Sequence, residues 1–531
     1  MKRAAVLLGA CVALSAGPAW AGGAWVGVRG VRPLSMGGAF VAGAEEANAL
    51  WYNPSRLDGT SVAMDLGGVF MSAGYTAPDG TAVSNTGRTL PNPTLGAVYK
   101  IADLISIGAG IYAPYSPQHR FPEDGPQRYS LVESDRITML IMNVGVALRL
   151  GPVRIGGGVQ NVDFHLRQRT VLSGYTGLFS EPTDPDLDVL SELELHDAFT
   201  LTGNLGVSAD LGPVTLGAAV QLPWTAKGQA TFRVRLGQST FFDPITVEGD
   251  TADFAVPFPW MARAGVLWRA NDSLKMELAF NWEGWSVQDS LIIDPKGQIT
   301  LRDVPGIGDY QMGKLTVDRG MKDTISLHYG ADYTILTGLH ARGGLFYETS
   351  AFPDATFSVA QVDSSKLGFG AGGSYQWRWF RLDAAVSYVH QFSRDVTDSR
   401  LRQVNPTNPD QAVIVGNGQY TSHIWIAGFG LAWYQADLEA NSWGRVRQVI
   451  KTILLDESFG LDAEAGLPPT RTFHMGFWFN NPEDAAACGF NPANPTPFNG
   501  EQQAGPLAMT SLPDAWSGLG PLCTDPETCQ D

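Results

Sequence analysis

From Val62 to about Gln435 apolar and polar residues alternate with a period of two, the spacing of a strand with unlike faces. In Ala198 to Leu211, Phe199, Leu201, Leu205, Val207, Ala209 and Leu211 share one face, against Thr200, Thr202, Asn204, Ser208 and Asp210. Thr138 to Leu150 and Leu274 to Glu283 repeat the pattern, as do Ile325, Leu327, Tyr329, Tyr333 and Ile335 against Ser326, His328 and Asp332. Such strands suit a soluble sandwich or a membrane barrel, and length with connections separates the two. Several runs reach ten residues or more, beyond the ~5–6 of a soluble strand. There are about fourteen, an even number as bacterial barrels require. Short turns at Ala102-Asp103, Gly151-Pro152, Gly212-Pro213, Asn271-Asp272, Thr337-Gly338 and Arg378 to Arg381 alternate with long connections such as Ser173–Glu194 and Pro295–Met321. The expected fold is all-β: a transmembrane antiparallel β-barrel over 61–435, with short turns and both chain ends on the periplasmic side.

The ends of the chain read differently. Lys2 and Arg3, the apolar run Ala4 to Ala16 and Ala19-Trp20-Ala21 form a secretory leader over 1–21. Leu8-Gly9-Ala10-Cys11 has the look of a lipoprotein box, but the apolar run before Cys11 is too short for a leader core. No later run approaches the ~18–20 apolar residues of a spanning helix. Residues 22–60 precede the strands, and 436–531 follow them as an expected periplasmic extension. Within that extension Trp443 to Leu455 has helical spacing and three basic residues, fitting a helix packed on protein or lying at the membrane boundary. Its Cys488, Cys523 and Cys529 allow three pairings; Cys523–Cys529 encloses the shortest loop and is the expected disulfide.

Composition agrees. Charged residues are only 17%, aromatics reach 10% and glycine numbers 61. The net charge of −17 argues against nucleic acid as a partner. No GxSxG, HExxH, CxxC or P-loop motif occurs, so no enzyme and no cofactor are expected. Gly368-Phe369-Gly370-Ala371-Gly372-Gly373 mimics a dinucleotide fingerprint but lies within an alternating strand. There its glycines clear the lumen wall for another segment. His328 and His423 are expected on the lumen face as hydrogen-bonded wall residues rather than metal ligands. Arg149, Arg263, Arg342, Glu277, Asp332 and Asp383 also point inward by parity, where most should pair with one another.

Leu34 to Leu57, LSMGGAFVAGAEEANALWYNPSRL, is the one long signature. It resembles the hatch segment of the FadL-type (OmpP1/FadL/TodX) outer-membrane transporters, through Gly37, Gly38, Ala39, Ala44, Glu45, Glu46, Ala47, Asn53, Pro54 and Leu57. Glu45-Glu46 replaces the usual aspartate pair, and Ser55-Arg56 the usual Ala-Gly. The resemblance implies a plug in the lumen over 22–60, with Gly37, Gly38, Glu45, Glu46, Asn53 and Pro54 as its gating residues. It also implies passive uptake of long-chain fatty acids or other hydrophobic compounds by a monomeric barrel in outer-membrane lipid, with lateral exit through the wall. In that setting Arg263 or Arg342 is a candidate for a cargo carboxylate, because the guanidinium fork binds carboxylates bidentately. Gly108, Gly110 and Pro114 are candidates for a kink opening the wall; alternatively the glycines accommodate the hatch and Pro114 ends the strand. An outer-membrane lipid hydrolase and a structural or adhesive barrel remain alternatives.

Overall fold

The computed structural model describes residues 28–435 except 89, 114–117, 176, 178, 179, 361 and 407. The expected leader, the expected extension with the helix and Cys523–Cys529 bridge anticipated there, and Pro114 lie outside the described residues. Fourteen antiparallel strands close into a barrel. They are β1 Ser61–Thr76, β2 Leu90–Ala102, β3 Ile105–Tyr112, β4 Glu133–Leu150, β5 Val153–Ser173, β6 Asp188–Leu211 and β7 Val214–Gln221. Then come β8 Met261–Arg269, β9 Leu274–Glu283, β10 Thr324–Leu336, β11 Leu339–Glu348, β12 Lys366–Trp377, β13 Phe380–Val396 and β14 Gly418–Tyr434. The seam is continuous: β1 pairs with β14 from Ser61↔Tyr434 to Thr76↔Gln419 without a register shift. Short turns fall at 103–104, 151–152, 212–213, 270–273, 337–338 and 378–379, one rim throughout.

The apolar parity faces outward. Phe199 on β6 is 70% exposed and Phe429 on β14 is 74% exposed, while Asn204 and Ser208 are buried in the lumen. Beside the short turns Trp268, Tyr375, Trp377, Trp379 and Trp433 also face out, the aromatic girdle of a membrane boundary. An apolar belt this broad on a water-soluble protein would drive association; facing lipid it satisfies the hydrophobic effect.

At the opposite rim the strands outrun the membrane. β5 has 21 residues and β6 has 24, against the ~9–11 a crossing needs. The connection expected at Ser173–Glu194 is therefore shorter than the sequence suggests, since strand resumes at Asp188. Its outward face carries ions instead of apolar groups: Arg167 pairs with Asp135, and Arg169 with Glu133 at 2.9 Å and Glu192 at 2.7 Å. Four further strands, Trp224–Arg235, Thr251–Phe258, Ser290–Asp294 and Leu315–Asp318, continue this collar above β7 to β10.

One parity assignment is overturned. His423 faces outward, opposite His390 on β13, whereas Ile424 and Ile426 face the lumen. The reason is local: there the lumen wall packs against apolar residues of the N-terminal segment, so its inner face is apolar too.

Within the collar, His119 pairs by backbone with Ser134, is almost fully buried, and among the described residues neither ring nitrogen has a hydrogen-bond partner. Burial lowers its pKa to about 4. Because the folded value lies below the ordinary ~6.5, His119 supports folding fully above ~6.5, and that support disappears as pH falls toward 4. Amide exchange over 119–134, corrected for its intrinsic pH dependence, is expected to accelerate across this window. His119→Leu should abolish the step, and mass-spectrometric exchange checks it.

Candidate functional site

Residues 28–60 lie within the barrel, and the wall is shaped to receive them. Helix α1, Val31–Ser35, is a single turn whose Val31 and Leu34 join Val28 against Phe346, Val389, Ile424 and Ile426. The chain then turns at Gly37 and Gly38, whose φ of 60° and 83° are left-handed and suit glycine. Here the segment sits directly on bare wall. A Cβ at Gly370 would lie 2.1 Å from the Leu34 carbonyl oxygen, and one at Gly344 would lie 2.1 Å from the Met36 carbonyl carbon. The glycine run of β12 is thus a seat for the plug. His328 completes it, with Nδ1 2.8 Å from the Gly37 oxygen and Nε2 2.8 Å from Ser326 Oγ.

Two acidic clamps follow. Glu277 on β9 accepts three consecutive backbone N–H groups, from Val41 at 2.5 Å, Ala42 at 2.8 Å and Gly43 at 2.9 Å. Glu46, held at a left-handed φ of 57°, receives Arg32 at 2.9 Å, both ends of the Arg381 guanidinium, and the Tyr434 hydroxyl. Glu45 takes the other arm of Arg32 at 3.0 Å. Breaking one member of such a buried set strands a charge and costs about 3–5 kcal/mol. Helix α2, Ala49–Tyr52, then leads into the Asn53-Pro54 turn. Asn53 Nδ2 donates to the oxygens of Val41 and Val207 at 3.2 and 3.3 Å, while its Oδ1 accepts from Ser55. The turn rests on Gly156 and Gly206, and Arg56 reaches Asp210 at 3.1 Å.

The remaining candidates separate. Arg342 is engaged by Asp332 at 2.7 Å, Ser374 at 2.8 Å and Asp383 at 3.6 Å. Arg263 instead donates to the Trp51 oxygen at 3.0 Å and lies 4.7 Å from that ring's centroid. Gly108 and Gly110 stay in register with Gly145 and Asn143, and a Cβ at either would meet Leu50 or Leu57 within 3.0 Å. Strand β3 ends at Tyr112. Among the described residues β1–β2 pairing runs to Val69↔Leu90 and β3–β4 pairing to Tyr112↔Ile141. Pro91 and Pro93 on β2, not singled out from the sequence, remove two ladder donors beside this place.

Towards the long-loop rim lie two adjoining cavities. The inner one, about 130 Å³, is walled by Phe164, Leu193, Phe232, Phe254, Phe258 and Ile293 among others, with Arg319 its one charged lining residue. Trp224 stacks on Phe258 at 4.0 Å, and the fully buried Trp285 meets Phe258 edge-on at 6.3 Å. The outer one, about 460 Å³, shares Gln168, Thr170, Leu315, Val317 and Arg319 with it and adds Tyr310, Arg400 and Arg402. These aromatics escaped the sequence reading, although Phe258 and Trp224 occupy inward parity where polar residues prevail.

Glu277→Ala removes the acceptor of three N–H groups without touching the membrane face. Conductance across planar bilayers is expected to rise severalfold over the parent, towards that of a chain lacking 34–57. Gly108→Val, which collides with Leu50 and Leu57, should raise it too while surface amounts hold.

Residues 12–429 match the family described as outer membrane protein transport protein (OMPP1/FadL/TodX). A putative outer membrane protein of Neisseria meningitidis serogroup B is 26% identical over 144 residues, 25% of this chain and 30% of that relative's length. Among solved structures, a Pseudomonas aeruginosa FadL homologue superposes with a TM-score of 0.61 at 15% identity, covering 78% of this chain and all of the other. The Ralstonia pickettii toluene transporter TbuX gives 0.53 at 17% identity, and the P. putida toluene transporter TodX 0.55 at 16%, each over 77% of this chain and 99% of its own. At these identities the likeness is one of fold. With the family match spanning most of its length, the chain belongs to the OmpP1/FadL/TodX outer-membrane transport proteins.

Proposed function

We propose that this chain carries small hydrophobic molecules inward across the outer membrane without an energy source. The observation that carries this reading is the apolar inner cavity, joined to a larger and more polar one at the long-loop rim. An apolar cavity of roughly 150 Å³ stays dry and takes a benzene-sized guest, so about 130 Å³ suits a single ring or a short acyl stretch. Each buried methylene contributes about 0.8 kcal/mol, enough to draw such a molecule from water without holding it irreversibly. Two solved relatives are named toluene transporters, which fits a guest of this size. Longer acyl chains, the fatty-acid part of the reading, would extend from the inner cavity into the outer one.

Onward passage needs the plug to yield and a side opening to be present. The clamps at Glu277 and Glu46 hold the plug by contacts that can be exchanged for water. Pro91 and Pro93 on β2, which cannot donate to the strand ladder, favour a lateral exit beside them, near the strand that carries Gly108 and Gly110. Gly37, Gly38, Glu45, Glu46, Asn53 and Pro54 act in this scheme by seating the plug.

Uptake of radiolabelled toluene by cells expressing the full chain as their one such transporter tests the reading. Val256→Trp fills the inner cavity from its wall and should slow uptake about tenfold at equal surface amount. Parental uptake by this variant would remove the cavity from the route.

A further inference from the structure

At the border between the two cavities, two hydrogen-bonding side chains interrupt an apolar wall. Along β5 the inward positions run Phe164, Leu166, Gln168, Thr170 and Leu172, and all five line the inner cavity. Gln168 and Thr170 line the outer cavity as well. So do Leu315 and Val317 of the collar strand Leu315–Asp318, which add hydrocarbon to the same border. Other polar groups of the inner wall are engaged elsewhere. Ser191 Oγ donates to the Thr170 backbone oxygen at 2.7 Å, and Gln288 Nε2 donates to the Pro257 oxygen at 2.6 Å. The Arg319 guanidinium lies 5.9 Å from the centroid of the Phe352 ring.

Gln168 and Thr170 hold each other only loosely. Among the described residues, the one hydrogen bond of either side chain runs from Gln168 Nε2 to Thr170 Oγ1 at 3.4 Å. That is longer than the ~2.7–3.2 Å usual for such a bond. The Thr170 hydroxyl still has its proton to give, and the Gln168 amide oxygen can still accept. One donor beside one acceptor is the complement of a group that accepts and donates at once, which is a hydroxyl. A carboxylate has no proton to offer, and a plain hydrocarbon answers neither partner. Set against a guest without such a group, both side chains would lose their hydrogen bonds to water and gain nothing in return.

We propose that Gln168 and Thr170 read a hydroxyl on the guest, so that the cavities favour an aromatic ring bearing one hydroxyl, a simple phenol. The ring fills the inner cavity among Phe164, Phe254 and Phe258, and its oxygen stays at the border, accepting from Thr170 and donating to Gln168. The inference deepens the transport reading and rests on it, since it names the class of guest for the same cavity. It also gives that guest an orientation, ring first and hydroxyl trailing towards the long-loop rim.

The test compares p-cresol with toluene, which differ by the one hydroxyl, by isothermal titration of the purified full chain in lipid nanodiscs. Val256→Trp, which fills the cavity, sets the background of partition into lipid. The parent is expected to bind both compounds above that background. Thr170→Val and Gln168→Leu keep the shape of the wall and remove one partner each. Each should weaken p-cresol binding about five- to tenfold, the equivalent of roughly one hydrogen bond, and leave toluene within about twofold. Thr170→Ser, which retains the hydroxyl, should bind p-cresol as the parent does. Heat-modifiable migration on gels checks that every variant is a closed barrel. Equal weakening of both guests would make the two residues parts of the wall's shape, and unchanged p-cresol binding would show that the hydroxyl is not read; either overturns the proposal. If the parent binds toluene and not p-cresol, the hydroxyl site alone falls. If it binds neither above the Val256→Trp background, the cavity loses its place in the transport reading and the site goes with it.

Discussion

A plug with almost no internal secondary structure lies in this lumen only because the wall supplies the hydrogen bonds its backbone lacks. Its helices are a few residues each, so most of its peptide groups have no partner within the segment. Glu277 takes three N–H groups in succession, Asn143 and Asn204 both donate to the Leu50 oxygen, and His328 meets the Gly37 oxygen. A strand such as β4, β6, β9 or β10 then carries a double duty. Its backbone closes the barrel, and its inward side chains finish the hydrogen bonding of a second, non-strand polypeptide.

This duty explains the composition of the inner wall. Where the plug offers peptide groups, the wall answers with Asn, Glu, His and Ser. Where it offers Val28, Val31 and Leu34, the wall answers with Phe346, Val389, Ile424 and Ile426. Where its backbone must come closest, the wall has glycine. The lumen face is a mould of its content and not a uniformly polar lining. The apolar contact provides area-proportional attraction, and the buried ion sets fix register at little net gain.

Those two facts set what was legible in the sequence. Lipid imposes one rule on every outward residue, so alternation located the strands and the tight turns between them. The plug imposes many local rules on inward residues, so parity failed at His423, where both faces are hydrophobic. Parity placed Arg263 and Arg342 inside alike, yet their partners depend on register. Asp332 stands directly across from Arg342, while Asn281 and Ala219 flank Arg263. The collar was hidden for a different reason. Its outward residues carry charge, as surface connections do, and only pairing such as Arg169 with Glu133 and Glu192 marks them as strand. The GAEEAN and NPS segments were legible as a unit because a mould needs a cast of fixed shape.

The length of the strands also decides where a molecule first meets the protein. At ~3.3 Å per residue and a tilt near 40°, the 24 residues of β6 rise about 60 Å, while the apolar band of such barrels is about 25 Å tall. The mouth therefore stands some tens of ångströms clear of the hydrocarbon. A solute dissolved in the bilayer's own acyl layer is screened from both cavities by a wall whose outside is ionic at that height. Uptake by such a mouth would draw on the trace of hydrophobe that is free in water and not on the far larger reservoir already dissolved in lipid.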